Sequence, residues 1–121
     1  MKFDFSDDSD TLPISGYAPG WVRIQEIVVK TSCVLTPRAL HQDLLPNELT
    51  AIVPSHFEQL LELKPELVIL GTGLHHQFIE DRLVNIFTQK RVGFEAMNTG
   101  AACRSFNVLV SDGRAVVAAL F

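Results

Sequence analysis

The sequence predicts an α/β protein: a β-rich N-terminal part set on a body of alternating strands and helices, folded as one domain. Three observations carry this. Up to about residue 45 the pattern runs in short β-branched pieces separated by turn residues. From Ser55 the hydrophobic period lengthens to that of a helix, and from Leu67 apolar runs and amphipathic stretches alternate as β-α-β-α-β. A chain of 121 residues, 47% of them hydrophobic, is long enough for one domain with a real core and too short for two.

Residues 1–12 carry Asp4, Asp7, Asp8 and Asp10. Phe3 and Phe5 could anchor a short edge strand, but a loosely ordered start is expected, with the domain spanning residues 13–121. Ile14-Ser15-Gly16-Tyr17-Ala18-Pro19-Gly20-Trp21 places turn punctuation between two short extended pieces. In the stretch that follows, Val22 and Ile24 alternate with Arg23 and Gln25, and the phase slips near Glu26, the mark of a bulge or a break. Pro37 ends that stretch, and Ala39–Asp43 reads as a further short strand.

Ser55-His56-Phe57-Glu58 fits a capping box, with Phe57, Leu60, Leu61 and Lys64 on one helical face and Pro65 closing the helix. Leu67-Val68-Ile69-Leu70 is a continuous apolar run, expected of a strand buried on both faces. Gly71-Thr72-Gly73 then turns the chain. Phe78–Arg91 reads as a helix with Ile79, Leu83, Ile86 and Phe87 in a stripe and Arg82, Asn85 and Gln89 on the other side. A strand from Gly93 to Met97, a helix from about Thr99 to Val110, a turn at Asp112-Gly113 and a wholly apolar final strand, Ala115–Phe121, complete the pattern. That last strand is expected at the centre of the sheet.

Composition narrows the function classes. A formal charge of −4 with no Lys/Arg cluster gives no footprint for nucleic acid or for an anionic membrane. No apolar run approaches the roughly 20 residues of a membrane helix, and the acidic first residues lack the apolar core of a signal peptide. A cytoplasmic, bacterial chain is expected. Cys33 and Cys103 lie far apart with no C-x-x-C, so a disulfide is not expected in a reducing compartment. Zinc takes about four ligands, which the cysteines plus His75 and His76 would supply only by coincidence of folding. His41 and His56 read as surface residues. Residues 71–76, GTGLHH, lack the third glycine of a dinucleotide fingerprint, and no Gly-Lys-Ser/Thr of a phosphate loop occurs. No metal and no cofactor is expected.

The candidate site centres on MNTGAACRSFNVL, residues 97–109. On a helical wheel Gly100, Cys103, Arg104, Asn107 and Ser111 share one arc of roughly 100° on a helix that is otherwise apolar except for Ser105. That stripe is either a solvated face or the lining of a cleft. In the second case Arg104 presents a fork of donors to a carboxylate or phosphate. Asn98 or Thr99 caps the helix, and the small Gly100-Ala101-Ala102 run leaves an anion room to approach the backbone amides. Cys103 is either a small core residue or, one turn into a helix, a thiol of lowered pKa. Gly71-Thr72-Gly73 follows a buried strand, where ligands of open α/β sheets sit, although a tight turn explains it equally well. The candidate ligand-binding set is therefore Gly71, Thr72, Gly73, Asn98, Thr99, Cys103, Arg104 and Asn107, with no catalytic residue assigned.

Val68-Ile69-Leu70-Gly71-Thr72-Gly73, Gly93-Phe94-Glu95-Ala96-Met97-Asn98-Thr99, Ala101 to Leu109 and Gly113 to Leu120 together resemble a family of domains of unknown function that includes mitochondrial complex I assembly factor 3 and bacterial and archaeal relatives. The resemblance runs from about Ile14 to the end and is strongest from Val68. It implies a three-layer α/β fold, a mixed central sheet flanked by helices with an N-terminal β-rich layer. It implies as well an assembly-type, non-enzymatic role through protein contacts, with a respiratory complex as the partner. The family often has Asp where Asn98 stands and Tyr where Phe106 stands, so neither that carboxylate nor that phenol is available here. The other function class is a binder of small anionic ligands, or an enzyme, with its cleft at Gly71–Gly73 and Asn98–Asn107. Oligomeric state has no signature in the sequence.

Overall fold

The two apolar runs that the sequence marks most strongly lie side by side at the heart of the molecule. The computed structural model describes the backbone of residues 2–4 and all of residues 11–121. The strands are β1 (Lys2–Asp4), β2 (Ile14–Ala18), β3 (Trp21–Ile24), β4 (Ile27–Val29), β5 (Cys33–Leu35), β6 (Ala39–His41), β7 (Leu67–Gly71), β8 (Gly93–Met97) and β9 (Val116–Leu120). The α-helices are α1 (Pro54–Leu61), α2 (Asp81–Thr88) and α3 (Thr99–Ser111). The expectation of a loose start over residues 1–12 falls mostly outside the described residues, although Lys2–Asp4 pairs antiparallel with β6.

A six-stranded sheet runs in the order β1-β6-β5-β9-β7-β8, with β7 parallel to both β8 and β9 and the β5 side antiparallel. Strands β2, β3 and β4 form a second, antiparallel sheet. The period-2 alternation of the central strands divides the core in two. Val68, Leu70, Val117 and Ala119 meet Phe57, Leu60, Leu83 and Phe87 of α1 and α2. On the other face Ile69, Val116, Ala118 and Leu120 meet Ala102, Cys103, Phe106 and Val110 of α3. The small sheet contributes Ile14, Val22, Ile24 and Val29 to that same cluster. The result is the expected three-layer, mixed α/β fold, with β9 central and all five of its residues buried.

Local details depart from the sequence pattern for identifiable reasons. The phase slip near Glu26 is a hairpin turn: Ile24 pairs with Ile27, and Gln25 adopts φ 54°. Helix α1 starts at Pro54, whose missing N–H suits the first helical position. Ser55 therefore lies inside the first turn and does not cap. His56 performs the reach-back instead, its Nδ1 accepting from the Val53 N–H at 2.9 Å. Helix α2 begins at Asp81, later than expected, because Gln77 is tied back to Thr72 through two hydrogen bonds that keep residues 72–77 in a closed loop. Phe78 is left outside the helix and 83% exposed. Across the starts of β7 and β9, Arg114 Nε and the Ala115 N–H both donate to Glu66 Oε1 at 2.8 Å. Those two donors hold the Glu66 carboxyl below its usual value.

Candidate functional site

Where the parallel strands β7 and β9 end, the chain must turn sharply and α3 must begin. Thr99 joins the three. Its N–H donates to Gly73 O at 2.8 Å, its hydroxyl donates to Phe121 O at 2.9 Å, and the same oxygen accepts from the Gly73 N–H at 2.8 Å. Asn98 caps α3 by accepting from the Ala101 N–H at 2.8 Å. Thr72, 2% exposed, closes the following loop: its hydroxyl lies 2.7 Å from His75 O and accepts from the Gln77 N–H. Gly73 sits at φ +98°, a conformation open to glycine and strained for other residues.

Above this junction is a cavity of about 720 Å³, within the size range of small-molecule sites. Gly73, Leu74, Asn98, Thr99 and Leu120 supply one part of its wall. The small sheet supplies Tyr17, Trp21 and Val29, Lys30 follows β4, and the loop before α1 supplies Asn47 and Glu48. The cavity thus lies beyond the carboxyl ends of parallel strands, where open α/β folds place their ligands.

Of the eight candidate residues, Gly73, Asn98 and Thr99 line this cavity. Gly71 and Thr72 are not among its lining; they hold the loop beneath it. Cys103 is fully buried in the core shared by α3 and the two sheets. Asn107 clamps the edge strand β2: its Oδ1 accepts from the Ile14 N–H at 2.7 Å and its Nδ2 donates to Ile14 O at 2.9 Å. Arg104 is exposed and donates through Nη1 to the Tyr17 hydroxyl at 2.7 Å, its guanidinium carbon 5.9 Å from the ring centre. The polar arc of the wheel is therefore divided among three tasks and is not one cleft. Of the lining residues that sequence reasoning left out, Leu74 belongs to the loop after β7, Asn47 and Glu48 to the loop before α1, Lys30 follows β4, and Tyr17 and Trp21 come from the small sheet. Their one local signal is the pair of aromatics flanking the Pro19-Gly20 turn.

Burial raises the Cys103 thiol to about 11, against an opposing pull from the Arg104 charge. Burial, with the neighbouring Cys103, raises Cys33 to about 12. Both thiols are thus poor nucleophiles near neutral pH. Iodoacetamide at pH 8 is expected to leave both unmodified in the folded protein and to modify both in urea; rapid labelling of Cys103 without unfolding would contradict this. Because the folded thiols hold protons that the unfolded chain releases above about 9, stability is expected to fall as pH rises from 9 towards 11. Among the described residues no group of three or more His, Cys, Asp or Glu gathers as a metal site. Among the described residues no helix is long and apolar enough to cross a membrane.

Fold and site together define a class: a three-layer α/β domain whose N-terminal sheet and α3 enclose a cavity at the carboxyl ends of its parallel strands. Residues 14–121 match a family described as "Protein of unknown function (DUF498/DUF598)", and the chain belongs to that family. It is 31% identical over 109 residues to an uncharacterised protein of Rhodobacter capsulatus, covering 90% of this chain and 83% of that one. It is 28% identical over 95 residues to human NADH dehydrogenase [ubiquinone] 1 alpha subcomplex assembly factor 3, covering 73% of this chain and 48% of the human protein. The chain thus spans about half the length of the assembly-factor relatives it matches. A crystal structure of a Bordetella parapertussis protein superposes with a TM-score of 0.87 at 26% identity, covering 95% of this chain and 98% of that one.

Proposed function

We propose that this chain is a non-enzymatic interaction protein of the assembly-factor kind, acting in the cytoplasm and docking on a subunit of NADH dehydrogenase through the loop Leu74–Phe78. The observation that carries this is the exposure of Phe78, 83%, and of Leu74, 66%, on a loop that Thr72 and Gln77 hold in one shape. Large apolar side chains presented on a braced loop give a partner an anchor whose ordering cost is already met. The names of the human and mouse relatives support the choice of partner.

Affinity purification of the tagged chain from cells is expected to enrich NADH dehydrogenase subunits. Phe78→Ser should reduce that enrichment tenfold or more with little change in thermal midpoint, since the side chain packs against little in the folded protein. Enrichment equal in both forms, or no such subunit with the wild type, contradicts the reading.

A further inference from the structure

The cavity shares Leu74 with the exposed loop but not Phe78, and its wall has a chemistry of its own. Its buried surface is mostly apolar: Val22, Val29 and Leu120 are each at most 5% exposed, and the buried Ser32 gives its hydroxyl proton to Leu45 O at 3.3 Å. The polar groups around it are mostly used up among themselves. Thr99 Oγ1 donates to one carbonyl and accepts from one amide, and the Asn98 carbonyl oxygen is taken by Ala101. At the start of α3 and the tip of β2 what remains is donors. Asn98 keeps its amide N–H₂. Tyr17 accepts from the Arg104 guanidinium, which leaves its own O–H proton to give and makes it a stronger donor. Lys30 and Glu48 are both lining residues exposed to water, with opposite charges, and so leave the head-group preference to Tyr17 and Asn98.

We propose that this cavity binds one amphipathic organic anion, with an apolar chain or ring against Val22, Val29, Leu74 and Leu120 and a carboxylate-like head at Tyr17 and Asn98. Arg104 acts here as a positioning residue: it reaches the site through the Tyr17 hydroxyl. The site goes beyond the docking reading, since Phe78 is not part of its wall.

Trp21 is the chain's single tryptophan and lines the cavity, so its emission reports occupancy. Titration with 8-anilinonaphthalene-1-sulfonate is expected to give saturable one-to-one energy transfer from Trp21. Decanoate should displace the dye at a concentration at least tenfold lower than decylammonium, which has the same chain with a cationic head. Leu74→Asp, at an exposed position that folding tolerates, should weaken dye binding tenfold or more. Tyr17→Phe should narrow the gap between the two heads. Phe78→Ser should change neither, so loss of partner capture and loss of this site are distinguishable. Transfer that does not saturate, that survives Leu74→Asp, or that both heads displace equally overturns the proposal, as does an unaltered gap in Tyr17→Phe.

Discussion

Asn107→Ala is expected to lower the unfolding free energy by about 3 kcal/mol. The side chain satisfies both backbone groups of Ile14, a residue 5% exposed, across 93 positions of sequence. Each hydrogen bond contributes about 1 kcal/mol net, and a buried N–H or C=O left without a partner costs about 1–3 kcal/mol. Alanine removes both bonds and strands both groups. Asn107→Asp separates the two halves: it keeps an acceptor for the Ile14 N–H but sets a carboxylate against the Ile14 carbonyl, so it should be no better than alanine at neutral pH and should recover when the acid is protonated. Urea denaturation reads the loss. Amide exchange should show β2–β4 losing protection before β7 and β9 do, because Asn107 holds the small sheet to α3. A loss under about 1 kcal/mol would mean that apolar packing alone holds the small sheet in place.

Gly71→Ala should cost about 3 kcal/mol, far more than one methyl group suggests. A Cβ there would lie 2.9 Å from Thr99 Oγ1, 3.0 Å from Leu120 Cδ2 and 3.1 Å from Thr99 Cα. Leu120 can shift its methyl. Thr99 cannot yield easily, because its hydroxyl is bonded to Gly73 and Phe121. Forced overpacking of this kind typically costs about 1–3 kcal/mol, and here it also pushes on the junction that closes the cavity. Adding Thr99→Ala removes the oxygen but leaves the clash with the backbone of residue 99, so the double variant should be only partly rescued. Full rescue, or an unchanged midpoint for Gly71→Ala alone, would show that the end of β7 is looser than its close packing indicates.

The elements legible in the sequence were those whose signal is local. Leu67–Gly71 and Val116–Leu120 are short, apolar and β-branched, and no other element suits such runs between helical stretches. Helix α3 and its Asn98 cap could be read for the same reason. The site was less legible because a helical wheel gives directions and not neighbours. Cys103 and Arg104 are adjacent in chain and arc, yet one meets the core and the other meets Tyr17, 87 residues earlier. Asn107 looked like a cleft residue because its partner is backbone, which carries no side-chain signature at Ile14. Phe78 reads as the first residue of a helix, but the tie between Thr72 and Gln77 keeps it outside α2.

The order of strands in the large sheet has a consequence for synthesis. Strand β9 joins the β1-β6-β5 half to the β7-β8 half, yet it emerges from the ribosome after all of them. Until then β5 and β7 each present an open, apolar edge, the kind that pairs with other chains. The nascent polypeptide is thus committed to a late, all-at-once closure rather than stepwise growth from its N-terminus. Loss of β9, by a premature stop or by proteolysis, would split the sheet along its middle and turn a folded protein into a substrate for chaperones.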